Sequence, residues 1–226
     1  MIRQSARSCK KIKSECSIIF GMPTDRPKKP ELPRREEFLN AAVKRFSRYG
    51  YNATSTRDLC ADVGIVPSAI YNYFPSKEAV ILAIEEREMT QMLAGFEAIE
   101  AATDGNPAGR LNALVAHVFA EALERRESWR LMADMIRSLK PENRARVVRR
   151  RDAVERIVRN ALEKAMEAGL VPQQNIKLAC LQLFSMAEGM SGWYRHDGES
   201  SARDIAAHAT AFFLRAVGAS PSVLSR

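Results

Sequence analysis

Residues 55–74 read STRDLCADVGIVPSAIYNYF, and they decide the fold because they encode two short helices around a tight glycine turn. Ser55 followed three residues later by Asp58 has the capping-box form, in which side-chain oxygens satisfy the free amides of a helix start. Leu59 and Val63 lie four apart, which makes one face of a helix of about two turns apolar. Gly64 supplies the left-handed conformation that ends a helix without steric cost. Pro67 is tolerated in a first helical turn, where its missing N–H is not needed, and opens a second helix expected to run through Phe74. Ile70 and Phe74 then point inward, and Ser68, Tyr71 and Asn72 face away. A short helix braced by a partner and showing small, hydrogen-bonding side chains suits a DNA major groove, so the stretch reads as a helix-turn-helix.

The flanks extend the pattern. Residues 34–49, RREEFLNAAVKRFSRY, form an amphipathic helix with Phe38, Ala42, Phe46 and Tyr49 on one face, and Gly50 stops it. After YNYF, Pro75-Ser76-Lys77-Glu78 makes a turn, an N-cap serine and a new helix. Taken together, Phe46, Gly50, Thr54, Thr56, Leu59, Ala61, Gly64, Ile70, Tyr71, Tyr73, Phe74, Ser76 and Lys77 closely resemble the amino-terminal domain of the TetR family of bacterial transcriptional regulators. The resemblance covers residues 32–92. It implies a three-helix DNA-binding domain, with Pro67, Ser68, Tyr71 and Asn72 facing the groove and Thr56, Tyr73 and Lys77 at phosphate-contacting positions. One departure concerns the recognition helix, which the family usually caps with serine or threonine and which here begins Val66-Pro67.

Net charge alone does not argue for DNA. Residues 1–30 carry eight basic side chains against two acidic ones, a net +6 of the chain's +8, so the other 196 residues hold only +2. Residues 1–31 offer no helical period and read as a disordered basic arm that adds nonspecific phosphate affinity. Because MPTDRPKKPELPRREEF (22–38) looks like a short tail into the first helix, Met22 is an alternative initiator to Met1. The four cysteines, Cys9, Cys16, Cys60 and Cys180, form no C-x-x-C pair, and Cys60 reads as a small buried thiol. No apolar run approaches the length of a membrane span, and the expected location is cytoplasmic.

The remainder reads as helical throughout, giving an all-α fold of about nine helices. Helices are expected over 76–102, 107–125, 128–139, 141–168, 176–195 and 202–217, with residues 93–218 forming a ligand-binding and dimerisation body and 219–226 a tail. The last two helices are unusually apolar, and the alternatives are a single-chain core or an interface. The resemblance implies the second, a homodimer through residues 174–217, with Ala179, Ser185, Gly189 and Gly192 allowing close helix approach. A two-fold dimer also matches a palindromic operator, whose half-sites lie about 34 Å apart.

Ligand chemistry rests on adaptable wall material: His117, Phe119, Trp129, Met132, Met135, Phe184, Met190 and Trp193 are candidates for a pocket lining, each of them alternatively a core residue. The segment Gly192-Trp193-Tyr194-Arg195 with Asp197-Gly198 resembles the subgroup of the family that senses fatty-acid or sterol-derived acyl-CoA thioesters. So does the helix carrying Arg144, Arg146, Arg149, Arg150, Arg151, Arg156 and Arg159, whose guanidinium groups suit the phosphates of CoA or else form a solvated basic face. No nucleophile motif, phosphate loop or metal-ligand cluster appears, so no enzyme, no catalytic or metal-binding residue and no cofactor is expected. The expected function is a ligand-responsive homodimeric repressor of lipid or sterol catabolism that binds a double-stranded DNA operator. The competing expectation is a DNA-bound adaptor that recruits a protein and has no small-molecule ligand.

Overall fold

Helix α1, Arg35–Tyr49, buries Phe38, Leu39, Ala42, Val43 and Phe46 and ends at Gly50, where φ is +84° and the amide closes back on the Phe46 carbonyl at 2.8 Å. A computed structural model describes residues 35–224. The basic arm over 1–31, the choice between Met1 and Met22, and Cys9 and Cys16 all lie outside the described residues. Helix α2, Thr56–Asp62, carries the complete capping box: Ser55 Oγ accepts from the Asp58 amide, and Asp58 accepts from the Ser55 amide at 2.8 Å. Hydrogen bonds from the Ser55 hydroxyl and amide favour the ionised carboxyl and hold Asp58 below the usual carboxylate range.

Helix α3, Pro67–Ile70, is shorter than the expected run to Phe74. Phe74 precedes Pro75, whose ring disfavours the helical conformation at the residue before it. The chain tightens instead, the Tyr73 amide reaching back three residues to the Ile70 carbonyl at 2.9 Å. Phe74 still turns inward and stacks on Phe38 with ring centroids 5.4 Å apart.

Helix α4, Lys77–Ala102, begins at the Ser76 cap and continues without interruption into the rest of the molecule. Beyond it run α5 (Pro107–Glu124), α6 (Arg126–Met135), a single 3-10 turn (Ile136–Ser138), α7 (Pro141–Glu167), α8 (Ile176–Trp193) and α9 (Ala202–Ala216). Helix α5 is the axis, with α4, α7, α8 and α9 packed around it. It buries Leu111, Leu114, Val115, Val118, Phe119, Ala122 and Leu123 along one broad stripe, and the rest of its length up to Leu123 is at least half-buried, as suits a central helix. Helix α8 stops at Trp193 rather than Arg195, because Tyr194 turns extended and buries its ring. In the segment read as a tail, a one-turn helix α10, Pro221–Leu224, tucks Val223 fully into the core beside α5. The described residues are all-α, with ten helices and no strand.

Candidate nucleic-acid interface and effector cavity

The outward edge of α3 is built by what α3 buries. With Ile70 and Phe74 held in the core, Pro67, Ser68, Tyr71 and Asn72 are all exposed, and Tyr71 keeps 55% of its surface open. Tyr71 Oη lies 3.4 Å from Thr56 Oγ1, so the first residue of α2 and the end of α3 meet on the same outer edge. Val66 makes no side-chain cap and is 65% exposed, leaving the start of α3 apolar. Tyr73 is half-buried against the core.

Lys77 already has partners within the chain. Its ammonium donates to the carbonyls of Tyr51 (2.8 Å) and Thr54 (2.9 Å) and lies 4.3 Å from the centroid of the Tyr51 ring. It staples the loop between α1 and α2 onto the first turn of α4. This role was not legible because the accepting carbonyls lie more than twenty residues upstream and carry no side-chain signature.

A second junction joins α1 to the body. Glu88 is almost fully buried on α4 and accepts from Arg87, from Arg125 at 3.1 Å and from the Ser128 hydroxyl at 3.2 Å. Arg87 in turn donates to Asn40 (2.8 Å) and Glu36 (3.2 Å) on α1. One turn earlier, Glu85 pairs with Arg150 of α7 at 2.5 Å, both fully buried. Burial pushes the Glu85 carboxyl up, opposed by Arg150. Two carboxylates inside an otherwise apolar helix face were not anticipated, since period alone assigns charges to solvent.

Beside these pairs lies a cavity of about 200 Å³ bounded by α4, α6, α7 and α8. Met89, Met92, Trp129, Met132, Ala133, Val154, Leu181 and Phe184 give it apolar walls, and Arg151, Glu155 and Glu188 are its charged members. Of the eight candidate lining residues, the structure brings Trp129, Met132 and Phe184 together here. The other five lie elsewhere. Phe119 is fully buried in α5, Met190 is buried in α8, Met135 faces a groove near Tyr49, and Trp193 is 60% exposed. His117 packs its ring against Phe96 and over Gly95. On α4 the cavity meets Met89 and Met92, whereas Leu93 and Phe96, one turn further on, are buried in the core.

The arginine-rich helix also divides. Arg150 is buried against Glu85, Arg151 faces the cavity and Arg144 donates to the carbonyls of Arg137 and Leu139, which leaves Arg146, Arg149 and Arg156 exposed and Arg159 beside Glu155. On α8, Leu178, Leu181 and Trp193 are exposed together with Ser185, Gly189 and Gly192, whereas Ala179 is buried in its own chain and is not available to a partner helix. Among the described residues no three His, Cys, Asp or Glu side chains are grouped to hold a metal. The buried thiols are inert, with Cys180 pushed up to about 12 by burial.

A family model described as "Bacterial regulatory proteins, tetR family" matches residues 38–84, and one described as "Tetracyclin repressor-like, C-terminal domain" matches 104–217. HTH-type transcriptional regulator UidR of Escherichia coli (strain K12) is 39% identical over 64 residues, 28% of this chain and 33% of its own length. The match therefore spans only about a third of that relative. Among solved structures, the TetR family transcriptional regulator PfmR from Thermus thermophilus superposes with a TM-score of 0.72 at 29% identity, over 79% of this chain and 97% of its own. AibR, solved in complex with isovaleryl coenzyme A and operator DNA, shares the fold with a TM-score of 0.67 at 19% identity, over 79% of this chain and 97% of its own.

Proposed function

The chain belongs to the TetR family of bacterial transcriptional regulators, and from that premise we propose that it is a homodimeric, effector-gated repressor of a palindromic operator. The observation that carries this reading is α4. One unbroken helix touches the α1–α2 loop through Lys77 and walls the cavity with Met89 and Met92. An occupant of the cavity therefore presses on the same rigid rod that carries the helix-turn-helix. The apolar side chains and small residues on the outer edge of α8, Leu178, Leu181, Gly189 and Gly192, support a second protomer as its cover. In this reading residues 32–92 read DNA and 93–218 bind effector and partner, with α4 shared between the two because Met89 and Met92 also wall the cavity.

Ser68, Tyr71, Asn72 and the Pro67 end of α3 read the groove, while Thr56 and Tyr73 approach phosphate. Asn72 reads an adenine edge through its amide, a contact of about 1–3 kcal/mol. An acyl-CoA is the effector class favoured by the exposed guanidinium groups of α7 and by the isovaleryl coenzyme A bound by AibR, which shares the fold. A cavity open between helices favours an effector over a purely protein-recruiting adaptor. The test is operator selection from a randomised DNA pool: Asn72→Ala should relax preference at one base pair of each half-site, and an unchanged profile would remove Asn72 from base reading.

A further inference from the structure

Taken as the effector site of the proposed regulator, and resting on that reading, the cavity specifies more about its occupant than family membership does. Its size is the first constraint. An apolar cavity of about 150 Å³ accepts benzene, so about 200 Å³ holds one ring or a short branched chain. A fused-ring skeleton or a long acyl chain exceeds that volume and would extend out through the mouth. Its walls are the second constraint. Three methionines, Trp129, Phe184, Val154 and Leu181 offer flexible, polarisable surface and no fixed polar pattern.

Arg151 is the third. It stands at the wall of this apolar space with its Nη2 donating to the Met132 carbonyl at 2.8 Å. Among the described residues no carboxylate makes an ion pair with it, although Glu85 and Glu188 act on it from further away. The other charged members are already accounted for: Glu155 lies 3.7 Å from Arg159, and Glu188 sits at the exposed mouth beside Leu181. Burial pushes the Arg151 guanidinium down from its ordinary value, the signature of a cation with less solvation than it can use. Its remaining N–H groups suit an oxygen acceptor carried into the cavity on a small apolar body.

We propose that the cavity seats a compact acyl group, whose carboxylate or carbonyl oxygen bonds Arg151 while an apolar body of about five to seven carbons packs among Met89, Met92, Met132 and Phe184. The same chemistry is available from a free short-chain or aromatic acid and from its coenzyme A thioester, whose nucleotide part stays outside. Trp129 and Phe184 make benzoyl and branched aliphatic groups equally acceptable bodies.

The experiment is calorimetric titration of the full-length protein with 3-methylbutanoate, benzoate, the coenzyme A thioester of each, and a sixteen-carbon acyl coenzyme A. Wild type, Arg151→Met and Ala133→Phe are compared, with thermal melting to establish that each variant is folded. Compact members of one arm should bind wild type, and the arm that binds identifies the acid or the thioester as the source. Arg151→Met should weaken that binding by about tenfold or more, and Ala133→Phe, which fills the space while Arg151 itself is kept, should abolish it. Equal affinity for wild type and either variant, preference for the sixteen-carbon chain, or no binding of any compact acyl group would each overturn the proposal. Operator binding measured on the same samples separates the two readings. Its retention when compact acyl groups fail leaves the regulator standing, and its absence in the ligand-free protein removes the regulator itself.

Discussion

Gly95 sits in the middle of α4, a position where glycine ordinarily costs a helix about 1 kcal/mol relative to alanine. A Cβ there would collide with Nε2 and Cε1 of His117, whose ring stands edge-on to Phe96 with centroids 5.5 Å apart. The contact outweighs propensity, since overpacking costs about 1–3 kcal/mol. Gly95→Ala should therefore lower stability by about 1 kcal/mol in denaturant unfolding. In a His117→Ala background the same change should raise stability, and a loss in both backgrounds would show that the ring is not the cause. His117 was legible as a residue of the body's interior but not as the reason for a glycine on another helix, because that pairing exists only once α4 and α5 lie side by side. Ser55, Asp58 and Gly64 were fully legible, because their partners are within a few residues along the chain.

Elements were readable wherever local chemistry sets their ends. Proline starts α3, α5 and α7, serine or asparagine caps α2, α4, α5, α8 and α9, and the α5 and α7 boundaries fall within a residue of expectation. The contacts between elements were not, and the Glu85–Arg150 pair is the sharpest case. It crosses from α4 to α7, and both side chains are fully buried, where the amphipathic pattern alone would place neither. Removing one partner of a buried pair strands the other charge and costs about 3–5 kcal/mol, while replacing both by apolar groups is nearly neutral. Arg150→Met alone should thus depress the unfolding midpoint severely, and Glu85→Leu with Arg150→Met should restore most of the loss. Additive losses in the double variant would mean that the two side chains do not act as a pair.

At the scale of the molecule, the exposed edge of α8 and the cavity's mouth lie on the same side, since Leu181 belongs to both. Gly189 has no atom within 4 Å of where a Cβ would stand, so its own chain leaves it room. Gly189→Leu should preserve or raise helicity yet shift the protein towards monomer in sedimentation velocity; a persistent dimer would place the interface elsewhere. In the proposed effector-gated repressor, effector and operator share α4, so each should weaken the other by the same factor, with a coupling of about 1–3 kcal/mol. Titrating effector against free protein and against the operator complex measures it, and equal affinities would exclude this route. The buried carboxylates of α4 also bear on domain exchange. Glu85 and Glu88 lie on the head's side of any cut placed near residue 92, but their partners Arg125, Ser128 and Arg150 lie on the other side. A chimaera spliced there onto a foreign body would leave Glu85 without Arg150 and Glu88 with Arg87 as its remaining cation. The junction beneath the helix-turn-helix survives such an exchange only where Arg125, Ser128 and Arg150 come with the new body.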